Sequence, residues 1–146
     1  MNTEPARGNR IVVRFKEGAV VRGHTNDFSP AKEQLHLFET NGDGSTTVHD
    51  VECCALKAVF FVKTLEGDSE YTERKQFQEV EDRNLKGMKI KVEFKDGEVI
   101  RGVSLGYNKN RKGFFMIPVD SRCNNERIYV IADATRNVVV GEAAVD

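Results

Sequence analysis

The chain has 146 residues, 39% of them hydrophobic and 31% charged, with a net charge of −1. That apolar share is enough for a core, which excludes a disordered chain, and no apolar run approaches the roughly 20 residues a membrane-spanning helix needs. Three cysteines, two of them adjacent at Cys53 and Cys54, argue against a disulfide framework. With a polar N-terminus that predicts no secretory signal, they point to a reduced, cytoplasmic protein.

In chain order, the first element is a strand carried by Ile11, Val13 and Phe15, with Val12 loosening the alternation. Glu17-Gly18 predicts a hairpin turn, because glycine accepts the positive φ such turns require. A second strand runs to about Asp27, and Gly23 within it predicts a sharp bend. Third, fourth and fifth strands are expected at Gln34–Glu39, Thr47–Cys53 and Leu56–Lys63, with the polar loop TNGDGST between the third and fourth. From about Asp68 to Val80 the sequence predicts a short helix, with Asp68 or Ser69 as N-cap and acids in its first turn. Tyr71, Phe77 and Val80 give that connector an apolar side to dock with. Beyond it, Ile90, Val92 and Phe94 alternate with Lys91, Glu93 and Lys95, the period-2 pattern of a half-buried strand. Asp96-Gly97 supplies the turn, and a strand interrupted by Gly102 runs to about Gly106. Strands at Gly113–Pro118, Glu126–Ile131 and Thr135–Val140 complete the set, with VDSRCNN as the second large loop.

The two groups of strands are copies. Residues 11–23 (IVVRFKEGAVVRG) and 90–102 (IKVEFKDGEVIRG) agree at 8 of 13 positions, at an offset of 79. The same offset sets Phe28 against Tyr107, Leu35-His36-Leu37 against Phe114-Phe115-Met116, and Val59 against Val138. A register held over that length signals tandem duplication. The expected fold is therefore all-β: two small antiparallel barrels at 9–63 and 87–141, joined by a short, partly helical connector at 64–86.

Charge is unevenly shared. Residues 9–63 are neutral, the connector 64–86 carries −3, and residues 87–141 carry +4. Within the basic unit, Tyr107, Asn108, Lys109, Asn110, Arg111 and Lys112 join an aromatic ring to cations and amides. Such a loop offers a stacking surface and phosphate contacts; the same residues also suit a polar turn with the tyrosine packed down on the barrel. Arg127, in the other large loop region, completes the candidate anion-binding set of Tyr107, Arg111, Lys112 and Arg127.

The pattern V-x-F-K-[DE]-G-x-[VI]-x-x-G, then D-F-S or L-G-Y, an apolar triplet and a final V-h-h-V strand, resembles the Sm-like small barrels. Gly18, Gly23 and Asp27 stand where that family carries its turn glycine, bent-strand glycine and following aspartate. Over roughly residues 10–140 the chain is similar to an uncharacterised bacterial family of two such units, through DFSP (27–30), LKAVFFVK (56–63), LGY (105–107), GFFMIP (113–118) and NNERIYV (124–130). Some members of that family accompany PilZ domains, which bind cyclic di-GMP. The resemblance implies fold and kinship. It does not imply the Sm uridine pocket: Asp27 and Phe28 lack an asparagine partner, and the last loops read CAL (54–56) and DAT (133–135) in place of Arg-Gly. Nor does it reproduce the cyclic di-GMP motif. Arg10 and Arg14 have its spacing and Asp27-Phe28-Ser29 begins its second part, but Lys32 occupies the place of a required glycine.

Catalytic signatures are missing from the sequence: no Walker A or Rossmann glycines, no G-x-S-x-G around Ser29, and no C-x-x-C or H-x-x-x-H spacing for a metal. The expectation is a non-catalytic binding or adaptor protein without cofactor or metal, whose foremost partner is another protein. Small barrels expose edge strands and grooves that partners extend. The alternative is binding of nucleic acid or a nucleotide, a cyclic dinucleotide included, through the basic second unit; no membrane partner is expected.

Overall fold

Alternating residues in the first half build β1 (Asn9–Phe15), β2 (Val20–Thr25), β3 (Gln34–Thr40), β4 (Thr46–Glu52) and β5 (Leu56–Val62). The second half supplies β6 (Met88–Phe94), β7 (Val99–Ser104), β8 (Gly113–Pro118), β9 (Asn125–Ile131) and β10 (Thr135–Val140). The computed structural model describes residues 8–67, 71, 73, 75, 77, 87–120 and 122–145. Among these there is no α-helix; short 3-10 turns lie at Cys53–Ala55, Ala132–Ala134 and Gly141–Val145, and Phe77 is also in 3-10 conformation. The chain is all-β.

Each half has the same strand order, β5-β1-β2-β3-β4 and β10-β6-β7-β8-β9. The offset of 79 carries the registers as well. Ile11 lies opposite Gly23 as Ile90 lies opposite Gly102, and Leu35 opposite Val51 as Phe114 opposite Val130. Gly23 and Gly102 answer one need: a Cβ at either would overlap the carbonyl oxygen of the next strand, at Phe38 or Ile117. The sequence marked these glycines as bends; the structure shows a close approach of two backbones.

The expectation of two separate barrels is corrected. β5 pairs with β1 on one side and with β9 on the other, Val59 opposite Tyr129 and Phe60 opposite Ile128, so all ten strands form one antiparallel sheet. No ladder joins β4 to β5 or β9 to β10 among the described residues, so neither half closes on itself. The reason lies in β5, which is buried along its whole length. A strand buried on both faces needs apolar cover on both. Val59 and Phe61 point into one core with Ile11, Val13, Leu35 and Leu37, while Ala58, Phe60 and Val62 point into the other with Ile90, Val92 and Phe94. β9 does the same in reverse, sending Tyr129 and Ile131 to the first core and Ile128 and Val130 to the second. Each half therefore completes the core of the other.

The connector helix expected between Asp68 and Val80 lies for the most part outside the described residues, as does Val80 itself. Tyr71 and Phe77 do contact the second half: the Tyr71 hydroxyl donates to Asp120 Oδ2 at 2.6 Å, and Lys89 Nζ stands 5.4 Å from the Phe77 ring centroid.

Candidate functional site: a cleft at the joint of the two halves

Two loops and two strand ends meet at the end of β9, the second-half strand that pairs with β5. The loop after β2 is shaped by Asp27, whose carboxylate accepts hydrogen bonds from Thr25 Oγ1, the His36 backbone N–H and His36 Nδ1 at 3.0, 3.0 and 2.6 Å. Ser29 turns the chain next, its Oγ accepting from the Ala31 N–H at 3.2 Å. This fixes Phe28 in an edge-to-face cluster, its ring 5.1 Å from Tyr129 and 5.4 Å from Phe61. Tyr129 lies against Gly113, where a Cβ would come within 2.5 Å of its hydroxyl oxygen. Glycine at 113 is what lets the ring lie there.

Around these rings is a cleft of ≈620 Å3. Phe28, Pro30, Ala31, Tyr129 and Ile131 give it an apolar lining, with Cys53 and Cys54 at the end of β4. Its rim mixes signs: Lys32 and Lys112 against Glu33, Glu52 and Asp133. Lys112 Nζ lies 3.3 Å from Glu33 Oε1, and the Asp133 carboxylate is 2.5 Å from Lys16 Nζ, a hydrogen bond that holds it below the usual carboxylate range. Glu52 accepts from Gln34 Nε2 at 2.5 Å. A rim so paired presents little uncompensated positive charge to an anion.

The reactive groups are subdued. Burial pushes the Cys53 thiol up from its ordinary value, with Cys54 adding to the effect, and burial lifts Cys123 to about 11. A thiol held protonated is a poor nucleophile. Tyr129 is likewise raised by burial, so it enters the cleft as a neutral phenol. Among the described residues, no group of three or more His, Cys, Asp or Glu side chains is arranged to hold a metal. No helix there is long and apolar enough to cross a membrane.

The four residues singled out from the sequence are dispersed. Tyr107 packs edge-on against Phe114, centroids 4.8 Å apart, at the margin of the second core, and its backbone N–H bonds to Ser104 Oγ at 2.7 Å. Arg111 is exposed. Lys112 lines the cleft. Arg127 lies with its guanidinium 4.3 Å from the Phe61 ring and 5.3 Å from Phe115, beside a shallow depression shared with Asn9 and Arg10. Sequence reasoning missed Phe28, Tyr129 and Ile131 as site residues. The available signal was the uninterrupted apolar run Ile128–Ile131, longer than one core face requires.

Residues 7–141 match a family model described as a family of unknown function, DUF6982. No curated protein and no solved structure matches the chain.

Proposed function

We infer the function of this chain from its own surface, because the chain belongs to the DUF6982 family, whose function is unknown. The reading is a non-catalytic binding protein of the cytoplasm, built from two tandem Sm-like units, whose joint receives an apolar segment of a protein partner. One observation carries it: the ≈620 Å3 cleft is lined by rings and aliphatic side chains, and its rim lysines stand among carboxylates. Such a lining favours hydrophobic anchors with a few polar contacts at the edge over a polyanion. The runner-up is nucleic acid or a cyclic dinucleotide bound through the second half, supported by its charge of +4 and by Arg127 stacked on Phe61 beside Arg10.

The experiment sets the two against each other on the full chain. Peptides are selected from a random display library, and single-stranded RNA, single-stranded DNA and cyclic di-GMP are titrated in parallel at low and moderate salt. The expected result is binding of peptides with aliphatic or aromatic anchors, with amide shifts at Ala31, Cys54 and Ala132, abolished by Ala31→Glu. Salt-sensitive nucleotide binding that is lost in Arg111→Ala and Lys112→Ala, with no peptide bound at the cleft, would overturn it.

A further inference from the structure

On the far side of the loop that walls the cleft, His36 stands between two carboxylates. Its Nδ1 is 2.6 Å from Asp27 Oδ2 and its Nε2 is 3.1 Å from Asp50 Oδ1. A neutral imidazole carries one N–H and one lone pair, so it serves a single carboxylate and turns its lone pair on the other; the imidazolium donates to both. The three residues belong to three segments. Asp27 starts the loop that carries Phe28–Glu33 into the cleft, His36 is on β3, and Asp50 is on β4, two residues before Glu52 and the cleft-lining Cys53 and Cys54. Lys32 and Glu33 of the loop and Glu52 of β4 line the shallow pocket that His36 shares, and these, with Asp27 and Asp50, are the charged groups facing it. The ring thus adds a side-chain link to the backbone bond, Cys53 N–H to the Glu33 carbonyl at 2.8 Å, that already joins the two first-half walls of the cleft.

We infer that Asp27, His36 and Asp50 form a proton-operated clasp: the imidazolium reinforces the backbone tie between the 27–33 loop and the end of β4 and so tightens the cleft wall for binding, and loss of the proton removes that reinforcement. This rests on the cleft being the binding site, but the clasp itself is read without any ligand. The environment favours the charged ring: the Asp27 hydrogen bond raises His36 from its ordinary value of 6.5, the Asp27 and Asp50 charges add to this, and Lys32 opposes it. Asp27 is lowered in turn by the same bond. The sign follows. The clasp is complete at pH values below the raised His36 pKa and above the depressed Asp27 pKa, and it opens as pH rises through the former. After opening, the Nδ1–H tautomer retains Asp27, whose link to the His36 backbone N–H also survives, so the contact released is the one to β4.

The test is an NMR pH titration of the full chain, reading the His36 ring separately from the His24 and His49 rings. The expected His36 midpoint lies above 6.5, with the amides of Phe28, Ala31, Cys53 and Cys54 shifting at that same midpoint. Asp50→Asn, at a side chain 79% exposed, lowers the His36 midpoint and removes the response at Cys53 and Cys54. Amides that ignore the His36 midpoint, or that follow it equally in Asp50→Asn, would overturn the clasp. A clasp that titrates as expected while cleft-selected peptides fail to bind would instead overturn the binding reading.

Discussion

β5 and β10 hold equivalent places 79 positions apart, yet every residue of β5 is buried and none of β10 is. Their sequences differ accordingly: Ala58, Phe60, Phe61 and Val62 of β5 correspond to Asn137, Val139, Val140 and Gly141. β9 and β4 differ in the same sense, with Tyr129 and Ile131 of β9 matched by Asp50 and Glu52 of β4. Position in the sheet, rather than position in the repeat, sets composition. Where two copies are fused, the joint strands become apolar on both faces. Where the sheet ends, β4 carries acids, which discourage unwanted pairing along an open edge. The cleft arises beside the fused pair, where Tyr129 and Ile131 of β9 meet the loop after β2 and the end of β4.

The sharpest way to break this comparison is to trim both fifth strands. Phe60→Ala removes a ring that β5 sends into the second core and should cost about 4 kcal/mol, whereas Val139→Ala on β10 should cost about 1 kcal/mol. Urea unfolding of the two variants measures both. Equal losses would mean that β5 is not shared between the cores.

Glycine substitutions separate strand interiors from turns. Gly102→Ala drives a methyl into the Ile117 carbonyl and should cost about 2–3 kcal/mol. Gly97→Ala meets open space and loses only the ease of a φ of 96°, so about 1 kcal/mol is expected. Thermal midpoints in the reverse order would place the close approach elsewhere.

A third comparison uses charge. Lys57, 6% exposed on β5, reaches Asp96 Oδ2 at 2.7 Å and Glu98 of the second half, while its counterpart Arg136 is an exposed residue paired with Glu93 at 3.1 Å. Lys57→Met should cost about 1–2 kcal/mol, because it takes the lysine from Asp96 across the joint and leaves Glu98 with only the looser Arg14 contact at 3.9 Å, and Arg136→Met less than about 0.5 kcal/mol. The smallest effects are expected at Arg111→Ala and Lys112→Ala, within about 0.5 kcal/mol in denaturant titrations, since both side chains are exposed.

Local pattern and duplication were legible in the sequence. The ten strands lie within a residue or two of where alternation and turn glycines put them, and the offset of 79 that relates the sequences also relates the ladders. The joint was not legible as a joint. Pairing between β5 and β9 links residues 66 to 70 positions apart in the middle of the ladder, and no local period encodes that choice. LKAVFFVK carried the trace, an apolar run too continuous for a half-buried strand, but it fits a barrel's closing strand equally well. The cleft was hidden for the same reason, since it is assembled from four separate segments. The Tyr107–Lys112 loop drew notice because its chemistry is contiguous, and the structure turns its ring down onto Phe114.

Native-state hydrogen exchange tests the shared joint most directly. The account predicts that the amides of Ala58–Phe61 in β5 exchange only through global unfolding, together with those of β1 and β9, while β10 opens in a faster, separate step. Equal protection of β5 and β10, or early exchange along β5 and β9 while both cores stay protected, would contradict a single sheet fused at that pair.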